Sequence, residues 1–206
     1  MPLNTTLQIL DKLKQHYKSP KIELNYSSPF ELLIATILSA QCTDTRVNKV
    51  TSELFKKYNK PEHFAEINKE QLEKLIKSTG FYKNKAKNII ACCKELIHRF
   101  NGNIPTNVEE LSSLPGIGRK TANVLLIECF DIPAIVVDTH VKRFAFRTGL
   151  TTEKDPVKIE FSLMKKIPKK EWSFFSKAAV LHGRYVCKAR KPLCEECIID
   201  DLCPKH

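Results

Sequence analysis

The sequence predicts an all-α protein, and three observations carry that prediction. Helix-capping signatures recur along the chain, the apolar residues behind them follow helical spacing, and no stretch alternates polar and apolar residues convincingly enough for a strand. Ser28-Pro29-Phe30-Glu31 combines a capping box with proline at the first helical position, and Phe30, Leu33, Ile34, Ile37 and Leu38 follow on one face. Asp44 is expected to cap the next helix, which presents Val47, Val50, Leu54 and Phe55 and stops short of Pro61. Asn68 and Gln71 frame a capping box ahead of Leu72, Leu75 and Ile76, with Gly80 as the stop. Ala86, Ile89, Ile90, Cys93, Ile97 and Phe100 form one face of a long helix that Asn101-Gly102 ends, and Thr106 with Glu109 is expected to open a short helix.

Ile135-Val136-Val137 is β-branched, but it directly precedes a helix start and reads as a buried connection. Asp138 then leads Val141, Phe144, Ala145 and Leu150. Asp155-Pro156 opens another helix, and Trp172, Phe175, Ala178 and Ala179 mark the last long one. No repeat and no low-complexity linker interrupts the series, so two domains are expected to pack closely, with a change of character near residue 130.

With 206 residues and 42% hydrophobic content, the chain falls in the globular class, long enough for one large or two small domains. Its longest apolar stretch, residues 124–137, is broken by Glu128, Asp131 and Pro133, and its N-terminus lacks a signal peptide's apolar core. The expectation is therefore a protein that spans no membrane and stays inside the cell. A formal net charge of +11 calls for a polyanionic partner, nucleic acid ahead of an acidic lipid surface.

The chemistry concentrates in Leu-Pro-Gly-Ile-Gly-Arg-Lys-Thr-Ala at residues 114–122. Gly116 and Gly118 bracket Ile117 between two helical patterns, allowing a tight turn with outward-facing amides beside the N-terminus of a helix starting near Arg119. Such a turn seats a phosphate; the third glycine and preceding strand of a dinucleotide fingerprint are missing. Lys120 falls in the first helical turn, where the positive helix end and neighbouring Arg119 both favour the free amine a nucleophile requires. On position alone, a solvated lysine is the ordinary alternative.

The second concentration is Cys187-x6-Cys194-x2-Cys197-x5-Cys203, four of the chain's eight cysteines. Without an export signal these read as metal ligands rather than disulfides. One close pair and uneven outer spacing suit either a tetrahedral zinc or an iron–sulfur cubane, and spacing alone leaves both open. Lys188, Arg190 and Lys191 lie between the first two ligands, so gathering the cysteines projects a basic loop suited to phosphates. Cys42, Cys92, Cys93 and Cys129 read as small buried hydrophobes.

Taken together, LPGIGRKTA at 114–122, VDTHVKR at 137–143, LSAQCTD at 38–44 and the cysteine spacing resemble the endonuclease III family, the iron–sulfur branch of the helix-hairpin-helix DNA glycosylases, over nearly the whole chain. The resemblance implies two closely packed helical domains with a DNA-binding cleft between them. These would be a six-helix barrel carrying the hairpin (26–132), and a cluster domain (1–25 with 133–206) whose C-terminal part bears the iron–sulfur loop. It implies a monomeric, cytoplasmic, bifunctional DNA glycosylase and AP lyase, nucleoid-associated if bacterial, that excises oxidised pyrimidines from damaged duplex DNA and cleaves the abasic strand by β-elimination. Lys120 would be the Schiff-base nucleophile and Asp138 the carboxylate supporting positive charge on the sugar. Cys187, Cys194, Cys197 and Cys203 would hold a 4Fe-4S cluster, while Gly116, Gly118, Arg190 and Lys191 contact phosphates.

By the same resemblance, Gln41 and Phe81 enter the stack vacated by a flipped base. Phe81 is a departure where a family member carries an aliphatic residue, and packing after the Gly80 turn is its alternative. Asp138 doubles as a helix cap, and His140 is expected to pack or hydrogen-bond rather than catalyse. Competing readings are an adenine-specific glycosylase of the same superfamily, a non-catalytic hairpin module and an electron-transfer protein. Against the first stand the hairpin lysine and the expectation that no further domain follows Cys203.

Overall fold

The structure, a computed structural model, describes residues 3–204. Among the described residues there are eleven α-helices and no strand: α1 (Leu3–His16), α2 (Pro29–Ser39), α3 (Asp44–Leu54), α4 (Pro61–Glu66), α5 (Lys69–Ile76), α6 (Tyr82–Phe100), α7 (Val108–Ser112), α8 (Arg119–Phe130), α9 (Thr139–Arg147), α10 (Pro156–Lys166) and α11 (Trp172–Tyr185). Short 3-10 turns follow α5, precede α11 and close the C-terminal loop. Among the described residues, no helix is long and apolar enough to cross a membrane.

Most caps stand where the sequence puts them. Ser28 Oγ accepts from Glu31 N at 3.2 Å, while the Glu31 carboxylate turns back to Ser27 N at 2.7 Å. Asn68 Oδ1 accepts from Gln71 N, and Asp155 Oδ1 from Lys158 N. Two expected caps are displaced by one residue. Thr43 caps α3 through Oγ1, leaving Asp44 as the first helical residue, where its charge still suits the positive helix end. Asn107 caps α7 in place of Thr106, because asparagine is the stronger cap and Glu110 lies three residues on. Two helices were not anticipated. Pro61 begins α4 instead of merely ending what precedes it, and α1 buries Ile9, Leu10 and Leu13 without a capping box to announce it.

The chain divides into two compact units, Glu23–Phe130 and the residues up to Ile22 together with those from Asp131 onward. In the first unit α2 is the central element. Every residue from Phe30 to Leu38 is buried, including Glu31 and Thr36, as in a helix enclosed on all sides. Around it pack α3, α6 and α8, while Phe64 of α4 is fully buried with its ring 5.7 Å from both Phe30 and Tyr58. The core of the second unit joins Ile9, Leu10 and Leu13 of α1 to Val141 and Phe144 of α9, Ile159 and Leu163 of α10, and Phe175 of α11. Residues 135–137 are buried and belong to neither helix nor strand, forming a connection as expected. Gly183 lets α11 approach α9 closely, since a Cβ there would lie 2.8 Å from His140 O and 2.9 Å from His140 Cβ.

Candidate active site and cluster loop

Leu111, Leu114 and Ile117 are buried, and they fix the turn that leads into α8. Ile117 N donates to Leu114 O at 3.1 Å, so residues 114–117 close a four-residue turn with Pro115 second and Gly116 third at φ +80. This is the residue pattern of a type II turn, whose third position requires φ > 0. A Cβ on Gly116 would also meet Asn88 Cβ at 2.9 Å, so glycine is required there twice over. Gly118 differs from the sequence expectation. It lacks positive φ, and nothing lies within 4 Å of a Cβ built on it. Its carbonyl accepts the first α8 bond, from Ala122 N at 3.0 Å. The first-turn amides of α8 thus come directly after the turn, as an anion seat needs. Ala122 and Asn123 face the core, whereas Lys120 is exposed.

Gln41 and Phe81 belong to two further turns of the same unit. Cys42 N donates to Ser39 O at 3.1 Å, Ala40 sits at φ −57 and ψ 114, and Gln41 at φ 54, which puts a glutamine where such a turn prefers glycine. Phe81, at φ 47, precedes the first residue of α6 and is 64% exposed, so it does not pack after the Gly80 turn. Left-handed conformations cost bulky side chains about 1–2 kcal/mol each. They persist only where the surroundings over-determine them, and they cluster at working sites.

In the second unit Asp138 caps α9, its Oδ1 accepting from Val141 N at 2.8 Å, which leaves Oδ2 outside the cap. His140 packs against Gly183 and has Nδ1 3.3 Å from Arg143 Nη2, a packing and hydrogen-bonding role as expected.

The four C-terminal thiols line one cavity of about 260 Å³, walled on its apolar side by Phe144, Val186, Leu193 and Ile199. Among the described residues, no three Cys, His, Asp or Glu side chains gather closely enough for a single metal ion. Four soft thiols around a space of that size suit a polyatomic cluster better than one zinc ion. Two arginines of α9, neither of them among the expected site residues, hold the loop. Arg147 donates to Lys188 O at 2.7 Å, Ala189 O at 3.1 Å and Cys187 Sγ at 3.6 Å, and Arg143 donates to Cys187 O at 2.8 Å and to Gly183 O. Their spacing of four on a helix was the available signal. His182 is fully buried, with Nε2 3.3 Å from Cys197 Sγ and Nδ1 3.2 Å from Tyr17 Oη. Burial, with His16 second, pulls its pKa down to about 4, so the ring is neutral. Arg190 and Lys191 are exposed, Lys191 at φ 50.

A family model described as the HhH-GPD superfamily base excision DNA repair protein matches residues 34–169, and one for the iron–sulfur binding domain of endonuclease III matches residues 187–203. Endonuclease III of Synechocystis sp. is 52% identical over 198 residues, which cover 96% of this chain and 90% of that protein. The chain belongs to the endonuclease III family. Endonuclease III of Escherichia coli is 46% identical, covering 96% of this chain and 93% of its own. A solved structure of a trapped endonuclease III–DNA covalent intermediate, an estranged-adenine complex, is 44% identical with a TM-score of 0.96, covering all of this chain and 97% of that one. As an endonuclease III family member the protein is a base excision repair DNA glycosylase with AP lyase activity, and its cofactor is a 4Fe-4S cluster. Of the cysteines outside the loop, Cys92 and Cys93 are fully buried, burial pushing the Cys92 thiol up to about 12. Cys42 and Cys129 are only half-buried, because each lies near a helix end rather than mid-face.

Proposed function

We propose that this protein excises oxidised pyrimidines from duplex DNA with Lys120 as the nucleophile. The observation that carries the assignment is an exposed lysine in the first turn of α8, immediately after a turn held by buried leucines and Gly116. A base inside a duplex cannot be reached in place, so it is flipped out, and Gln41 and Phe81 fill the gap. The amides following Gly116 and Gly118 hold a phosphate, and Arg190 and Lys191 hold another stretch of backbone. Lys120 Nζ bonds to sugar C1′ as the glycosidic bond breaks and the base departs with the electron pair. Loss of the amine proton and opening of the sugar ring leave a Schiff base, which acidifies C2′–H. Removal of that proton forms a C2′–C3′ double bond and expels the 3′ phosphate.

Asp138 stabilises positive charge developing on the sugar, one oxygen serving the α9 cap while the other serves the substrate. The thiols of Cys187, Cys194, Cys197 and Cys203 ligate the cluster, which supplies a fixed shape for the loop around it. The protein acts as a monomer in the cytoplasm, associated with the nucleoid if it is bacterial.

Duplexes carrying thymine glycol, 8-oxoguanine opposite adenine, or an abasic site, each treated with protein and borohydride, test the assignment. Covalent adducts are expected with thymine glycol and the abasic site, and none with 8-oxoguanine opposite adenine. Adducts confined to the abasic site would remove the oxidised-pyrimidine substrate. For Asp138→Asn, excision should fall by orders of magnitude with little change in melting temperature, since asparagine caps a helix about as well. Wild-type excision by both Asp138→Asn and Asp138→Ala, with only the alanine variant less stable, would reduce the residue to a cap.

A further inference from the structure

Lys85 is a lysine where a lysine is costly. It sits in the first turn of α6 and is 4% exposed, and burial lowers its pKa from the ordinary value. Its ammonium donates to two backbone carbonyls, Leu38 O at 2.7 Å and Thr79 O at 2.7 Å. Leu38 lies in the last turn of α2, and Thr79 ends the 3-10 turn Lys77–Thr79, so the cation rests on carbonyls that the ends of two helical segments leave over.

Each of these carbonyls stands beside a turn with a left-handed residue. Leu38 immediately precedes the turn that puts Gln41 at φ 54, and Thr79 lies two residues before Phe81 at φ 47. Lys85 also holds the second segment by its own backbone, its N–H donating to Phe81 O at 3.0 Å. One residue therefore joins the two segments whose exposed side chains stand in conformations disfavoured without glycine. A compact ammonium with three donors suits such a bridge better than a planar guanidinium.

We propose that Lys85 is the positioning residue for the DNA-inserting pair, tying the Gln41 turn to the Phe81 turn so that both side chains enter the duplex as one unit. This rests on the assignment of Gln41 and Phe81 to the vacated stack. Lys85 touches neither the reacting sugar nor the lesion and acts through the two turns.

The test uses a duplex with a tetrahydrofuran abasic analogue and 2-aminopurine opposite it, whose fluorescence rises when the base is unstacked. Fluorescence per bound duplex, and the affinity ratio of analogue to undamaged duplex, are measured for wild type, Lys85→Met, the double variant Gln41→Ala/Phe81→Ala, and the triple variant. The measurements are made well below each variant's melting temperature. Lys85→Met should lose most of the fluorescence rise and about tenfold of the affinity ratio, and neither quantity should change further when Lys85→Met is added to the double variant. A wild-type rise in bound Lys85→Met, or an equal extra loss in the double-variant background, overturns the tether, since a residue that only stabilises the fold moves the melting temperature and not the signal of the bound state. A full rise from Gln41→Ala/Phe81→Ala instead overturns the insertion assignment itself. If Lys85→Met does not fold, the cycle is run with Lys85→Gln, which keeps a donor but loses the charge and the reach. A wild-type signal from that variant overturns the tether equally.

Discussion

The hairpin at residues 114–122 and the cysteine loop at residues 187–203 are both assigned to phosphates, but they are ordered by opposite means. The hairpin stands on Leu111, Leu114, Ile117 and Ala122, all buried, and on one left-handed glycine over Asn88. Fully burying a leucine or isoleucine is worth about 1.5–3 kcal/mol, enough to hold a turn of this size. The cysteine loop buries Ile199 fully and Leu193, Ile198 and Leu202 only in part, while fixing each backbone residue costs about 1–2 kcal/mol. Arg147 ties it through Lys188 O and Ala189 O, and on the proposed assignment the rest of its order would come from a cluster cross-linking the four cysteines that line the cavity. A burial-ordered site should survive loss of the metal, and a metal-ordered loop should not.

Breaking the loop's cross-link has the largest expected effect. Cys194→Ser, or chelation of the iron, removes a constraint worth on the order of 10 kcal/mol in structural metal sites. The protein should lose its yellow-brown absorbance near about 400 nm, and protease cleavage should begin within residues 187–203 while the hairpin segment stays protected. Early cleavage of both segments would erase the distinction. Iron and zinc analysis of anaerobically purified protein sharpens the same point, with about four irons and almost no zinc expected.

A smaller effect separates the two hairpin glycines. Gly116→Ala forces an L-residue to positive φ and pushes into Asn88, so stability should fall by at least about 1–2 kcal/mol. Gly118→Ala meets nothing and should leave the melting temperature unchanged. If Gly118→Ala still weakens DNA binding, close approach of a phosphate to the backbone is the reason for glycine there. Equal melting temperatures for the two variants would contradict the turn geometry. The smallest effect is electrostatic. Replacing Arg190 and Lys191 by alanine should reduce the salt dependence of DNA affinity by about 0.9 log units per log unit of salt for each lost phosphate contact, without altering lesion preference. An unchanged slope would take the basic loop off the DNA.

Legibility in the sequence divides along the same line. Where order comes from burial, the pattern of apolar residues located the helices, and Ser28, Asn68, Asp138 and Asp155 are caps as expected. The displaced caps at Thr43 and Asn107 arose where adjacent residues both qualified, a competition that local propensity does not resolve. Helix α1 was missed because tertiary packing, rather than a capping box, supports it. Cysteine spacing identified the loop but left zinc and iron open, and it was the match of residues 187–203 to the iron–sulfur binding domain of endonuclease III that distinguished them, with the shared cavity in keeping. Arg143 and Arg147 share a helix face at a spacing of four, which names a common face but not the loop carbonyls they hold, and Lys85 and His182 gave no signal because their partners, backbone carbonyls and a sulfur, are fixed only by the fold.

The central claim is that one amine, Lys120, performs both steps of the reaction. Borohydride-trapped complex on a thymine glycol duplex, digested and read by mass spectrometry, tests it most directly. The account predicts the sugar adduct on Lys120 alone, and no adduct with Lys120→Gln even though that variant still binds the duplex and keeps its cluster absorbance. An adduct on another amine, or undiminished trapping by Lys120→Gln, would contradict it.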